Sequence, residues 1–129
     1  MVLNPDCVRA VLLAVEACPF GEHLNVEKLS ARLPKYTEEC LWYTCLKLKE
    51  GGYLDLDLIQ MSMSTMPDIK RIKDLTFSGH EFLANIQKDD VWQGVKEIGK
   101  KLGTTPLTSL AQIASGVATT LIKAHFGLS

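Results

Sequence analysis

The segment from Tyr36 to Leu54 constrains the fold more than any other part of the chain, because it combines a capped helix, a glycine pair and the start of a strand. Thr37 is suited to the N-cap, and two glutamates follow it in the first turn, where the helix dipole favours acidic side chains. Gly51 and Gly52 are suited to the left-handed backbone conformation that often ends an α-helix. We therefore expect a helix that ends at a sharp turn and continues directly as a strand.

The apolar positions of this segment support both elements. Leu41, Cys45 and Leu48 are spaced by four and three residues, which indicates one buried helix face. Residues 53–59 then alternate leucine with aspartate, the period of a half-buried strand. Three leucines (Leu54, Leu56 and Leu58) are expected on one face and two aspartates (Asp55 and Asp57) on the other. A returning strand at about residues 69–75 completes a hairpin.

Two helices are predicted upstream. Asn4 followed by Pro5 is a helix start, and that helix extends to about residue 18 with Val8, Leu12 and Val15 inside. A short strand is possible before Asn25, which caps a second helix. That second helix buries Val26, Leu29 and Leu33 and ends at Pro34. Three helices followed by a hairpin predict a winged helix-turn-helix with a two-stranded wing over residues 1–76.

Residues 77–129 are predicted to form three additional C-terminal helices. Ser78 and Glu81 have the spacing of a capping box, with Phe77 and Phe82 placed for a hydrophobic staple. Asp90 and Gln93 form a second box, and the next helix carries the stripe Val91, Val95, Ile98 and Leu102. The last helix begins at Thr105-Pro106 and ends near His125. We expect this extension to pack on the winged-helix core, giving a mainly α (α+β) fold in one compact domain.

Composition excludes several classes of function. The chain has 129 residues, 47% of them hydrophobic, and a net charge of −1, so no overall positive field attracts nucleic acid or membranes. We expect no signal peptide and a cytoplasmic protein. The four cysteines lack C-x-x-C spacing and fall at helical core positions, which predicts four free, mostly buried thiols. Isolated histidines and the lack of a phosphate loop predict no enzyme, no metal and no cofactor.

The outward face of the third helix is the main candidate for function. Trp42 and Leu46 are one turn apart and, with Tyr43, resemble a hydrophobic anchor for a protein partner. Three methionines at the wing tip (Met61, Met63 and Met66) would add an adaptable surface. The leading hypothesis is therefore a non-catalytic protein-interaction module. The alternative for Trp42 is packing beneath the terminal helices, and for the methionines a plain exposed loop.

A small dimeric DNA-binding transcriptional regulator is the second hypothesis. The cations that would contact double-stranded DNA are Lys47, Lys49, Lys70, Arg71 and Lys73. Glu38 and Glu39 would lead the reading helix and face phosphate unfavourably. The three cations of the returning strand could instead pair with Asp55 and Asp57 across the hairpin.

Several motifs together resemble one family. They are the first helix ending in Cys18-Pro-Phe-Gly21, the helix start at Tyr36, the segment from Leu75 to Leu83, and the segment from Asp90 to Lys96. The chain is similar over nearly its whole length to an uncharacterised bacterial and bacteriophage family, a domain of unknown function. The resemblance implies a winged-helix core and a phage or prophage source, and it carries over no functional residues. Thr44 and Cys45 depart from the family pattern, which often has histidine and leucine there.

The last helix is uncharged from Leu107 to Ile122 and rich in small residues. Those expected to mediate self-association are Ala111, Ala114, Ser115 and Ala118. In a membrane such spacing would favour close helix packing, and a membrane-active protein is a distant third hypothesis. However, the segment is shorter than the roughly 20 apolar residues that a span requires.

We predict that the last helix pairs two copies of the chain, because it presents more apolar surface than one domain needs to cover. Truncation after Gly103 should then convert a dimer into a monomer by light scattering. An intact chain that is already monomeric at micromolar concentration would contradict this prediction.

Overall fold

The computed structural model describes residues 1–59, 66–102 and 107–127. Within them the fold is mainly helical α+β, with six helices and one two-stranded antiparallel sheet. In chain order the elements are α1 (Pro5–Glu16), α2 (Val26–Arg32), α3 (Glu38–Glu50), β1 (Leu54–Ile59), β2 (Asp68–Leu75), α4 (Phe77–Ile86), α5 (Asp89–Leu102) and α6 (Leu107–His125). This is the predicted order of elements.

The chain forms two compact units, Met1–His80 and Glu81–Ser129. In the first unit all three predicted N-caps are confirmed. The Asn4 side chain accepts from the Asp6 amide at 2.9 Å, Asn25 from the Lys28 amide at 2.7 Å, and Thr37 from the Cys40 amide at 3.1 Å. Each cap satisfies an amide at a helix start that has no partner within its own helix.

The core of the first unit lies where α1 and α2 pack on α3, with α1 also contacting β2. The predicted stripe of α3 is confirmed, since Leu41, Cys45 and Leu48 are fully buried. Val8, Leu12 and Val15 of α1 are buried as expected, and so is Leu29 of α2, whereas Val26 and Leu33 are half-buried. Burying side chains of this size contributes about 1.5–3 kcal/mol each, which makes this the main stabilising contact of the unit.

The C-terminus of α3 is closed by a Schellman motif. Gly52 has a φ of +82°, its amide donates to the Lys49 carbonyl at 3.0 Å, and the Tyr53 amide donates to the Leu48 carbonyl at 2.8 Å. Glycine adopts this left-handed conformation without steric cost. The chain therefore reverses within two residues and enters β1 directly, as the glycine pair predicted.

The strands pair in antiparallel register, with Leu54 opposite Leu75 and Leu58 opposite Ile69. The register shifts between Asp55 and Leu56 and again between Asp57 and Leu58. These irregularities break the alternation of the leucines: Leu54 and Leu56 are buried, but Leu58 is 39% exposed. The prediction that Leu58 lies on the buried face was therefore wrong.

A single bridge extends the sheet beyond the two strands. The Leu24 amide donates to the Ile72 carbonyl at 3.1 Å, and the Ile72 amide donates back to the Leu24 carbonyl at 2.7 Å. The short strand considered before Asn25 is thus present as one paired residue.

The start of α4 differs from the prediction. The Thr76 hydroxyl accepts from the Gly79 amide at 3.1 Å and donates to the Gly52 carbonyl, so Thr76 occupies the N-cap position and Ser78 lies inside the helix. Phe77 is 79% exposed, so the predicted hydrophobic staple is also wrong. Thr76 takes the cap because its hydroxyl satisfies the helix start and the end of α3 at once.

In the second unit α5 packs against α6. Trp92 and Val95 are buried on α5, whereas Ile98 is 38% exposed. The buried face therefore follows Trp92, Val95 and Gly99, so the predicted stripe is confirmed at Val95 and was wrong at Val91 and Ile98. Asp90 lies within the first turn of α5, so the second capping box was wrong as well. That the C-terminal helices pack on the first unit stays a prediction, and Thr105 and Pro106 lie outside the described residues.

We predict that Gly79→Ala strongly destabilises the first unit. An added Cβ would lie 2.1 Å from the Tyr53 carbonyl oxygen, a backbone atom that cannot move independently. The free energy of unfolding, measured by urea denaturation with circular dichroism, should fall by roughly 3 kcal/mol or more.

Gly94→Ala in α5 is the matched control, because an added Cβ there meets no atom within 4 Å. This change should be neutral or stabilise by about 0.5–1 kcal/mol, the usual gain of alanine over glycine in a helix. Equal unfolding midpoints for the Gly79 variant and the natural chain would show that the close approach does not exist.

Candidate functional site

A concave surface of the first unit lies beside the N-terminal half of α3. It is a groove with a volume of about 820 Å³, here called the acidic groove. Its lining residues are Met1, Val26, Glu38, Glu39, Trp42, Tyr43, Met66 and Asp68. Because Thr37 caps α3, the exposed residues Glu38 and Glu39 occupy its first turn. Trp42 follows one turn later and therefore lies next to them on the helix surface.

Trp42 is held at this groove by a specific hydrogen bond. Its side chain is half-buried, and its indole N–H donates to the Pro67 carbonyl at 3.0 Å. The bond joins α3 to the residue just before β2, which lies 25 positions further along the chain. The hydrogen bond therefore fixes the orientation of the indole ring. Residues of α3 and of the segment 66–68 both line the groove.

A second groove of about 420 Å³ continues along α3, here called the distal groove. It is lined by Tyr43, Leu46, Lys47, Lys49, Glu50, Leu58, Met66 and Pro67, so Tyr43 and Met66 border both grooves. Leu46 is only 9% exposed. The prediction of Leu46 as an exposed anchor is therefore corrected, since it contributes to the wall of a groove and not to an open face.

Leu58 is a lining residue that sequence reasoning missed. Strict alternation placed it in the core, but the register shift before it turns the side chain outward. Glycine or proline often marks such an irregularity, and the sequence of β1 contains neither. Met66 is 39% exposed and lines both grooves, as expected of an accessible methionine. Met61 and Met63 lie outside the described residues.

The cations of the hairpin pair with its aspartates. Arg71 Nε lies 2.6 Å from an Asp57 carboxylate oxygen, and Lys73 Nζ lies 3.5 Å from Asp55 and 3.6 Å from Asp57. The hydrogen bond from Arg71 holds the pKa of Asp57 below its usual range, with Lys73 adding to the effect. This is the cross-strand pairing named above as the alternative to phosphate contacts. Lys70 is exposed and has no ion pair with any residue that the structure describes.

The lysines of α3 differ in their surroundings. Lys47 forms an ion pair with Glu50 at 2.8 Å and lies over the Tyr43 ring, 5.5 Å from its centroid. The hydrogen bond to Glu50 raises the pKa of Lys47. Lys49 is half-buried at the distal groove. Exposed ion pairs of this kind contribute about 0–1 kcal/mol, so Lys47 can be released by a stronger partner.

The small residues of α6 do not share one exposed face. Ala114 is fully buried, Ala111 and Ala118 are half-buried, and Ser115 is exposed. Ala114 must therefore be removed from the predicted self-association surface. The exposed apolar residues of this helix are Leu121 and Ile122, near its C-terminal end. Over the described residues, no helix combines the length and the apolar character needed to cross a membrane.

No group of three or more His, Cys, Asp or Glu side chains in the described part of the chain is arranged to hold a metal ion. The acidic groove itself offers three carboxylates, two thioethers and two aromatic rings, and its lining residues include no nucleophile beside a base. These side chains can make apolar contacts and can pair with cations.

Comparison with known proteins gives one match. Residues 2–105 match the model of a family described as "Hypothetical protein (DUF2513)". No curated protein and no solved structure matches the chain. The family match covers α1 to α5 and every residue of both grooves except Met1.

We predict that Trp42→Phe lowers the free energy of unfolding by about 1 kcal/mol, because the Pro67 carbonyl loses its indole donor. Urea denaturation followed by circular dichroism measures the change. Tyr43→Phe is the control: its hydroxyl has no hydrogen bond among the described residues, so stability should change by less than about 0.5 kcal/mol. Equal losses in the two variants would contradict a role for the indole hydrogen bond.

Proposed function

This chain belongs to the DUF2513 family of hypothetical proteins, and we propose that it is a non-catalytic interaction module whose acidic groove binds a segment of a partner protein. The observation that carries the proposal is the groove of about 820 Å³ in which two aromatic side chains lie beside three carboxylates. We include a bacteriophage or prophage source and a cytoplasmic location in the proposal.

We further propose that the first unit is a winged helix, with α3 as its third helix and β1–β2 as its wing. The order of three helices and two antiparallel strands supports this, as does the bridge from Leu24 to Ile72, which adds a third paired segment to the sheet. In this fold the outward side of the third helix is the surface that winged-helix proteins commonly use for recognition. The acidic groove lies on that side.

Trp42 and Tyr43 are the proposed anchor. Aromatic side chains in partly enclosed pockets dominate many interfaces, because they bury a large area while few bonds lose rotational freedom. The Trp42 ring is already oriented by its bond to Pro67, so less freedom remains to be lost on binding. Met66 at the border of both grooves can adapt to the shape of an apolar partner side chain.

The carboxylates of the acidic groove favour a positively charged partner segment. Glu38, Glu39 and Asp68 line the groove, and Glu38 and Glu39 have no ion pair among the described residues. The N-terminus of α3 contributes roughly half a positive charge, which is less than the charge of these carboxylates. A partner segment with an apolar side chain flanked by lysine or arginine therefore fits best, since its cations regain partners when they leave water.

The DNA-binding alternative lacks this support. Arg71 and Lys73 already pair with the aspartates of β1, and α3 begins with two glutamates. Lys49 and Lys70 would be left as the main cations for phosphate, and two contacts supply little affinity at physiological salt. Self-association through the exposed C-terminal end of α6 is compatible with either function and stays a proposal.

The proposal predicts a basic, apolar peptide ligand. Selection from a displayed peptide library against the immobilised natural chain should enrich sequences with one large apolar residue flanked by Lys or Arg. Trp42→Ala should weaken a selected peptide by on the order of 2 kcal/mol, about thirtyfold in Kd. Glu39→Gln and Asp68→Asn should slow association, and the effect should be larger at low salt.

Glu22→Gln is the matched control, because this exposed glutamate of the first unit lines neither groove. It should leave affinity and salt dependence unchanged. Submicromolar binding to a defined duplex at physiological salt, lost in Arg71→Glu but kept in Trp42→Ala, would instead establish the DNA-binding function. Peptides that bind the natural chain and the Trp42 variant equally would also contradict the proposal.

A further inference from the structure

Two cysteines meet where α1 packs on α3. Cys7 is the third residue of α1 and Cys40 the third residue of α3, and their sulfur atoms lie 3.7 Å apart. This is van der Waals contact between two thiols that are 33 residues apart in the sequence. A disulfide bond is about 2.0 Å long, so a shift of less than about 2 Å would join the two sulfurs.

The two thiols differ in access. Cys7 is fully buried, whereas Cys40 is half-buried. The Thr44 hydroxyl donates to the Cys40 carbonyl at 2.7 Å and lies 3.4 Å from the Cys7 sulfur, so Cys7 has a polar neighbour on α3. A reagent from solvent therefore reaches Cys40 first, and Cys7 lies in position behind it.

Burial also makes the Cys7 thiol less reactive as a first nucleophile. It raises the pKa of Cys7 to about 11; the neighbouring Thr44 hydroxyl opposes this shift and Cys40 adds to it. Burial, and after it the Cys7 thiol, raise the pKa of Tyr36 and of Cys45, so neither of these neighbours supplies a positive charge that would favour a Cys7 thiolate. Cys7 is consequently a poor first nucleophile at neutral pH and acts after Cys40 has reacted.

We propose that Cys7 and Cys40 form a reversible dithiol–disulfide site that reacts with low-molecular-weight disulfides of the glutathione class. This inference is independent of the acidic groove. The spacing of the cysteines in the sequence did not indicate this pair, because the two residues lie on different helices.

The reaction balances in two exchanges. The Cys40 thiolate attacks one sulfur of the small disulfide, whose S–S bond breaks, and one small thiolate leaves and takes up a proton. Cys7 then loses its proton to water and attacks the Cys40 sulfur, so the mixed disulfide breaks and the second small thiolate leaves. The two protein thiols lose two electrons and two protons, and the small disulfide becomes two small thiols.

The remaining cysteines provide an internal comparison. Cys18 is half-buried and Cys45 is buried, whereas the sulfur atoms of Cys7 and Cys40 lie 3.7 Å apart. Burial raises the pKa of Cys45 to about 12, which keeps it protonated and unreactive. Exposure alone would therefore favour modification of Cys18 and Cys40, whereas contact between thiols favours a link between Cys7 and Cys40.

The test uses the full natural chain, purified with reductant, then freed of it and incubated with oxidised glutathione at neutral pH. The thiol count in denaturant should fall from four to two, and the intact mass should fall by two hydrogens. After thiol blocking and trypsin digestion, residues 1–9 should be linked to residues 36–47. Fragmentation of the second peptide should place the link at Cys40 and not at Cys45.

Two variants separate the steps. Cys7→Ser should retain glutathione on Cys40 as a stable mixed disulfide, because no second thiol displaces it. Cys40→Ser should leave Cys7 unmodified, because the buried thiol is not reached from solvent. Treatment with a dithiol reductant should return the natural chain to four thiols.

Three outcomes would overturn the proposal. They are four unreacted thiols after prolonged oxidation, a mixed disulfide at Cys40 that persists in the natural chain, and a link that involves Cys18 or Cys45. Reaction of Cys7 in the Cys40→Ser variant would show that access from solvent, and not contact between the thiols, controls the chemistry.

Discussion

The close junction between the end of α3 and the start of α4 is the constraint on which the first unit depends. The Tyr53 carbonyl accepts from the Thr76 amide at 3.1 Å, and the Thr76 hydroxyl donates to the Gly52 carbonyl. Both strands begin or end at this point, since β1 starts at Leu54 and β2 ends at Leu75. Position 79 requires glycine, because a Cβ at this position would collide with the Tyr53 carbonyl oxygen. The absence of a side chain at one position therefore permits the junction.

Local signals explain what the sequence predicted well. Helix caps and the stripe of α3 depend on residues within one or two turns, and those predictions are confirmed at Asn4, Asn25, Thr37 and Leu41. Errors arose where a distant partner decided between two local solutions. Thr76 caps α4 because its hydroxyl also donates a hydrogen bond to the Gly52 carbonyl, 24 residues earlier. On α5, Trp92 is buried where periodicity favoured Val91, and Ile98 is exposed.

The candidate site shows the same division. The sequence identified Trp42, Tyr43 and Met66 as candidate partner-binding side chains, and all three line the acidic groove. It did not identify the bond from Trp42 to Pro67 or the outward turn of Leu58, because both depend on how the β1–β2 pair lies against α3. The pairing of Arg71 with Asp57 was one of two readings of the sequence, and its geometry follows from cross-strand register.

The charged side chains at the two ends of α3 differ in whether they are paired within the chain. At its C-terminal end Lys47 is paired with Glu50 and lies over Tyr43, so its charge is partly satisfied within the chain. At its N-terminal end the helix dipole stabilises Glu38 and Glu39 without any side-chain partner among the described residues. Because a dipole lowers the energy of a carboxylate without covering it, these acids remain free to meet a cation from outside. The same turn carries Cys40, whose sulfur faces the opposite way, toward Cys7 and the core. One helical turn thus presents charge to the groove and a thiol to the interior, and the Thr37 cap positions both.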